Sequence, residues 1–234
     1  MLGYKGKGIQ MKKKYYIAGI VCAIIIIGIA AVLLYKNLFV TSENNAYEGL
    51  NTIALDEVFE MGGDYYVYAQ RSGCPYCDNV KDDIIRFSKS NSLFVLDTQA
   101  SENETAKDYD WTSHHKKYDE EIGEIVNGEI SFYNGLTKKT LKDKYSPLDY
   151  TIKVADKDFV ELNEGKEIGK IYAVRESPII DYSNTTKDNF VIAAVPTLYH
   201  IKDGKIDDFY FGDAQILNFL GSEKSPLDEY MDLN

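Results

Sequence analysis

The sequence predicts an α/β fold that carries an α+β insertion and is preceded by one N-terminal transmembrane helix. Three observations predict it. An unbroken apolar run spans Ile17 to Leu34; a strand–turn–helix–strand order over 65–97 resumes as a strand hairpin after residue 195; and a long stretch of different make separates those two halves.

The apolar run reads IAGIVCAIIIIGIAAVLL. Eighteen helical residues rise roughly 27 Å, close to the hydrocarbon thickness of a bilayer. Tyr15, Tyr16 and Tyr35 flank it at headgroup depth, Lys12 to Lys14 precede it, and only Lys36 follows closely. The positive-inside rule then places a cytoplasmic tail at 1–16, a signal anchor at 17–35 and everything after it outside the cytoplasmic membrane. A cleaved signal peptide has a shorter apolar stretch and a small-x-small site, and no such site follows Leu34. A lipidated Cys22 would follow Val21, a poor residue there, with most of the run still to come. Met1 and Met11 both open such an anchor equally well.

The chain carries 26 basic and 37 acidic residues, a net charge of −11. Residues 1–35 hold five lysines and no other charge, so the remainder has 21 basic against 37 acidic residues, a net of −16. A body that acidic repels phosphate and argues against a nucleic-acid partner. Three cysteines are too few for a disulfide-stapled scaffold.

After a polar stalk at 36–47, Asn51 to Gly63 reads as a brief strand and a helix, with Asp56 as N-cap and Gly62-Gly63 as stop. Tyr65 to Gln70 is a strand, Arg71 to Gly73 a turn, and a helix starts near Cys74 with Val80, Ile84 and Phe87 on one face. Leu93 to Leu96 is a strand ending at Asp97, which completes a βαβ unit. Val195-Pro196-Thr197-Leu198 opens another strand, Asp203-Gly204 is a hairpin signal, Ile206 to Phe211 returns, and a helical stretch surrounds Ile216 to Leu220. Residues 225–234 form an acidic tail. The insert, 101–190, holds a helix over Asp110 to Ile122 and strands at Glu129 to Tyr133, Tyr150 to Val154 and Lys170 to Val174. Trp111, the only tryptophan, reads as a core anchor of the insert, or alternatively as a residue on which a substrate stacks. Asn103-Glu104-Thr105 and Asn184-Thr185-Thr186 match the glycosylation sequon, a short pattern to which no function is assigned.

Cys74-Pro75-Tyr76-Cys77 carries the chemistry. Cysteines at i and i+3 at a helix start put both sulfurs on one side of the first turn. Pro75 suits the first helical position, which makes Cys74 the N-cap. Its sulfur then meets the free N–H groups and the positive end of the helix dipole, both of which favour a thiolate; Arg71 adds to this if it points inward. Cys77 is expected to be more buried and to resolve. Two other readings stand beside this one. A static disulfide closing so short a loop adds little through chain entropy. A zinc site wants three or four ligands and CxxC offers two; His114 and His115 are the remaining candidates, but neighbouring helix residues point apart, and a solvated helix face suits them better.

The strand–CPYC–helix–strand unit, the later Val195-Pro196-Thr197 and the hairpin ending at Gly212 resemble the thioredoxin superfamily over 48–100 and 191–224. CPYC itself is more similar to glutaredoxins than to the CGPC of ordinary thioredoxins. Two positions depart from the pattern: Tyr68 stands where thioredoxins bury an Asp, and Gly73 where they place a Trp. The long insert resembles those of membrane-anchored, extracytoplasmic thioredoxin-like and Dsb-type proteins. The resemblance implies a Cys74–Cys77 pair that cycles between dithiol and disulfide, with Pro75 and Tyr76 in the motif. It also implies a cis Val195–Pro196 bond, and a Val195-Pro196-Thr197 loop against which substrate lies. The expected function is thiol–disulfide exchange on protein thiols and disulfides, with a membrane redox partner and without cofactor or metal. The alternative is a non-catalytic binding or secretion-accessory module at the membrane.

Overall fold

In the computed structural model the described residues are 47, 49–103, 106–222 and 231–233. The tail expected over 1–16, the anchor over 17–35, most of the 36–47 stalk and residues 223–230 lie outside them. Among the described residues no helix is long and apolar enough to cross a membrane. Every element named here belongs to one compact unit, residues 49–234.

Its strands are β1 (Asn51–Thr52), β2 (Asp64–Gln70), β3 (Leu93–Asp97), β4 (Glu120–Val126), β5 (Glu129–Phe132), β6 (Tyr150–Val154), β7 (Lys170–Arg175), β8 (Thr197–Lys202), β9 (Lys205–Phe211) and β10 (Met231–Asp232). Its helices are α1 (Leu55–Glu60), α2 (Pro75–Ser88), α3 (Trp111–Tyr118), α4 (Lys138–Lys144), α5 (Lys157–Leu162) and α6 (Gly212–Phe219). They build two five-stranded sheets, ordered β1-β3-β2-β8-β9 and β10-β6-β7-β4-β5.

In the first sheet β1, β3 and β2 run parallel, and the β8–β9 hairpin extends them antiparallel to β2. Period-two alternation sorts the side chains of β2. Tyr65, Val67 and Ala69 join Ile53, Leu55, Val58, Leu96, Tyr199 and Ile201 in one core. On the opposite face Tyr66 meets Phe87 of α2 edge-on, with ring centroids 4.9 Å apart. Along α2 the buried residues Cys77, Val80 and Ile84 recur at helical spacing, and Asp83 between them is buried too and pairs with Arg86. Phe87 and Phe219 tie α2 to α6 with centroids 5.8 Å apart. At the β8–β9 turn both Asp203 (φ 48°) and Gly204 (φ 71°) are left-handed, as a two-residue hairpin requires. A Cβ on Gly204 would lie 2.6 Å from the Phe59 carbonyl oxygen, so glycine also allows the turn to press on α1.

Between β3 and β8, where the sequence reading places its insert, β4 to β7 form the antiparallel body of the second sheet. Ile122, Leu141, Tyr145, Ile152, Ile171 and Ala173 fill one face against α4, and Ala155, Tyr172 and Val174 meet Phe159 and Val160 of α5 on the other. Within the expected acidic tail, Met231–Asp232 adds an edge strand parallel to β6. Tyr182 and Phe190 belong to the first core, so the chain has already rejoined that sheet before residue 191.

Several local expectations need correction. The N-cap of α1 is Ala54, not Asp56. The first free N–H groups there are taken by neighbours: Ala54 N–H donates to Glu57 Oε2 at 2.9 Å and Leu55 N–H to the buried Asn103 Oδ1 at 2.7 Å. Helix α3 stops at Tyr118 instead of running to Ile122, because Asp119 turns extended and its carboxylate is drawn inward. The Asp119 Oδ1 oxygen accepts Arg175 N–H at 3.0 Å and meets His115 Nδ1 at 3.2 Å, while Oδ2 pairs with Lys166 at 3.1 Å. Trp111 does not anchor the second core. It is half-buried beside the first sheet, with its ring 5.9 Å from that of Phe211.

Candidate active site

The site starts at the end of β2. Gly73, at φ 68°, reverses the chain after Gln70 and delivers Cys74 to the head of α2. Cys74 is the N-cap, extended at φ −93° and ψ 107°, and Pro75 occupies the first helical position, where its missing N–H costs no hydrogen bond. The Cys74 sulfur accepts Cys77 N–H at 3.1 Å. The same cap would hold a thiolate once the pair is reduced. Cys74 and Cys77 are disulfide-bonded, with Cα atoms 5.2 Å apart. Cys74 is 4% and Cys77 2% exposed, so burial barely separates them, whereas Tyr76 stands out at 53%.

The Val195–Pro196 bond is cis. Pro196 and Thr197 are buried and Val195 is half-buried. The Val195 carbonyl oxygen lies 3.7 Å from Cys74 Sγ. Around it the loop is bonded at each carbonyl: Ala193 O accepts Trp111 Nε1–H at 3.0 Å, Ala194 O accepts Thr197 Oγ1–H at 2.8 Å, and Pro196 O accepts Gly212 N–H at 2.9 Å. Cys74, Pro75, Tyr76, Cys77, Val195, Pro196 and Thr197 are thus gathered in one place from both ends of the described chain. Beside Val195 opens a groove of about 490 Å³, lined by residues 192–195 and by Arg71, Thr98, Lys107 and Asp108. Below the disulfide, the fully buried Tyr68 donates its hydroxyl to the Cys77 carbonyl at 3.4 Å. Tyr68 therefore sits under the motif and touches it through its hydroxyl.

Trp111 and its neighbours were not assigned to this place from the sequence; the acceptor of the indole N–H is 82 residues away. His114 was expected on a solvated face and is instead buried. Its Nε2 lies 3.0 Å from the Arg175 carbonyl oxygen and its Nδ1 2.8 Å from the Tyr109 hydroxyl. A carbonyl only accepts, so Nε2 carries a proton, and in the neutral ring Nδ1 is then the acceptor that faces the Tyr109 hydroxyl. Burial is the largest influence on His114 and lowers its pKa below the ordinary 6.5, against the opposing pull of the Arg175 carbonyl. At Asp119 burial pushes the carboxyl up. The bonds from His115 and Arg175 N–H and the Lys166 charge outweigh it and hold the carboxyl below its ordinary range.

A pH dependence follows from His114. Its folded pKa is depressed, so as pH falls through 6.5 the unfolded chain takes up a proton before the folded one does. Its contribution to stability is complete above that value and declines below it. The urea midpoint of the wild type should therefore drop between pH 7.5 and 5.5 by more than that of His114→Gln. Parallel curves for the two proteins would refute the assignment.

Comparison with protein-family models, with curated proteins and with solved structures finds no match to this chain. What the structure itself defines is an α/β chain in which Cys74 and Cys77 stand at disulfide distance at the start of a helix.

Proposed function

We propose that the chain is a thioredoxin-like thiol–disulfide oxidoreductase that acts on protein substrates outside the cytoplasmic membrane, tethered by the apolar segment at 17–35. The observation that carries the proposal is the Cys74–Cys77 disulfide at the N-cap of α2, with the Val195 carbonyl 3.7 Å from the Cys74 sulfur. The strand, CxxC turn, helix and strand followed by an X-Pro-led hairpin in one sheet also support it, since this is the order that the sequence resemblance implies.

In the oxidised form a substrate thiolate attacks the Cys74 sulfur. A mixed disulfide forms, the Cys74–Cys77 bond breaks, and Cys77 leaves with the electron pair and takes up a proton. A second substrate thiolate then attacks its partner sulfur in the mixed disulfide and releases Cys74 as a thiolate, which the Cys77 N–H and the helix dipole stabilise. The substrate has gained a disulfide and the protein a dithiol, to be reoxidised by a membrane redox partner. Run backward, the same steps reduce a substrate disulfide.

The near-complete burial of both sulfurs favours a second reading, a binding module that keeps a structural disulfide. Catalysis separates the two. Full-length protein in detergent should accelerate exchange between dithiothreitol and a short peptide containing one disulfide. Exchange at the uncatalysed rate would discard the oxidoreductase and leave the binding module.

A further inference from the structure

We propose that Trp111 is a positioning residue for the 193–197 loop, through which the segment bearing the second sheet sets the carbonyl that faces Cys74; the proposal rests on the exchange reading above.

Four consecutive carbonyls define this loop. Those of Ala194 and Pro196 are bonded from within the first sheet's own elements, by Thr197 Oγ1–H and Gly212 N–H. That of Ala193 is bonded by the indole N–H of Trp111. The fourth, Val195 O, points at the Cys74 sulfur. Peptide units are planar and turn only about φ and ψ. Bonds to the carbonyls of Ala193, Ala194 and Pro196 therefore restrict the peptide units before and after Val195, and with them the direction of its own carbonyl.

The pin from Trp111 differs from the other two in where it is anchored. Trp111 opens α3, whose N-cap Asp110 accepts Ser113 N–H at 2.9 Å. The indole stacks on His115, with centroids 5.5 Å apart, and meets Tyr109 and His114 edge-on. The remainder of α3 is fastened to β7: His114 Nε2–H donates to the Arg175 carbonyl, and Asp119, just past the helix, accepts Arg175 N–H and pairs with Lys166. Helix α3 is thus a strut with one end on the second sheet and its indole N–H on the loop beside the disulfide.

The chemical consequence is selective. A disulfide with no peptide chain needs only an accessible sulfur. A polypeptide must also lie along the loop, so a rotated Ala193–Val195 segment misplaces it.

The test uses full-length protein in detergent with two substrates, hydroxyethyl disulfide and a short peptide with one internal disulfide. Trp111→Phe keeps an aromatic ring against Tyr109, His115 and Phe211 and removes the N–H donor. It should raise KM for the peptide roughly tenfold, as misplacement of a substrate does, with kcat less affected, and leave the rate with hydroxyethyl disulfide nearly unchanged. Equal losses on both substrates would mark Trp111 as merely structural, and an unchanged KM for the peptide would also overturn the proposal. A wild type inert toward both substrates would instead refute the exchange reading itself. A second readout needs no Trp111 variant. Trp111 is the only tryptophan, so its single indole N–H resonance should be protected from solvent exchange and should shift when Cys77→Ala holds the peptide as a mixed disulfide. A solvent-exposed, unmoved resonance would overturn the proposal.

Discussion

Cys77→Ala should accumulate covalent complexes with its substrates, and Cys74→Ala should accumulate none. Both variants should lose catalysed exchange entirely. The difference between the two cysteines cannot come from exposure, because both sulfurs are almost fully buried. It comes from the helix start. The Cys74 sulfur is the cap that accepts Cys77 N–H and meets the dipole of a 14-residue helix. It also faces the Val195 carbonyl, and Val195 lines the neighbouring groove. Cys77 lies inside the first turn, above Tyr68. An incoming sulfur therefore bonds to Cys74, and without Cys77 nothing intramolecular resolves the bond. Acid-quenched reactions run on non-reducing gels, with the adducts identified by mass, will show which cysteine is trapped. Equal trapping by the two variants would reverse the assignment.

Asn103→Ala should be among the most destabilising single changes outside the apolar cores. Asn103 is 3% exposed and both ends of its amide are engaged. Oδ1 accepts Leu55 N–H at 2.7 Å and Nδ2 donates to the Asp97 carbonyl at 2.7 Å, so one side chain joins the start of α1 to the end of β3. Truncation leaves the Leu55 N–H without its partner, at a cost of about 1–3 kcal/mol, while the Asp97 carbonyl keeps its bond from Ala100 N–H. Denaturant unfolding measures this directly, and a loss below about 0.5 kcal/mol, the range of ordinary surface substitutions, would contradict the bonding. The same engagement means that the Asn103-Glu104-Thr105 sequon offers no accessible amide in the folded protein, whereas Asn184 is exposed.

The parts of this fold legible in the sequence are those in which a short window holds its own explanation. Strand β2 is a run of β-formers, α2 repeats its apolar residues every three or four positions and carries its cap in the CPYC motif, and Asp203-Gly204 is a turn by itself. Residues 119–122 failed because Asp-Glu-Glu-Ile suits a helix locally, while the partners that bend Asp119 inward, Arg175 and Lys166, lie far along the chain. Helices α4 and α5 are too short to display a period. Strand β4 hides its pattern among acidic residues, and β10 exists only by pairing with β6. At the candidate site the two cysteines and Pro196 were legible as motifs. Trp111 and His114 were not, since what they bond is decided by how the second sheet returns to the first.

That return has a consequence for the order of assembly. Strand β8 completes the first sheet by pairing with β2, yet the chain between Asp97 and Thr197 must be threaded before the two can meet. The β4–β7 body of the second sheet begins and ends at one point: Asp119 accepts Arg175 N–H, and Glu120 lies opposite Ala173. Once β4 to β7 have formed, that excursion is closed, and joining β8 to β2 requires ordering only the connections 98–119 and 176–196. Closure cost grows slowly with loop length, but non-local strand pairing is the slow part of β-sheet assembly. During synthesis the edge of β2 waits unpaired until β4 to β7 have been made and β8 emerges. Stability of the second sheet therefore sets how long the half of the molecule that carries Cys74 and Cys77 remains open to mispairing.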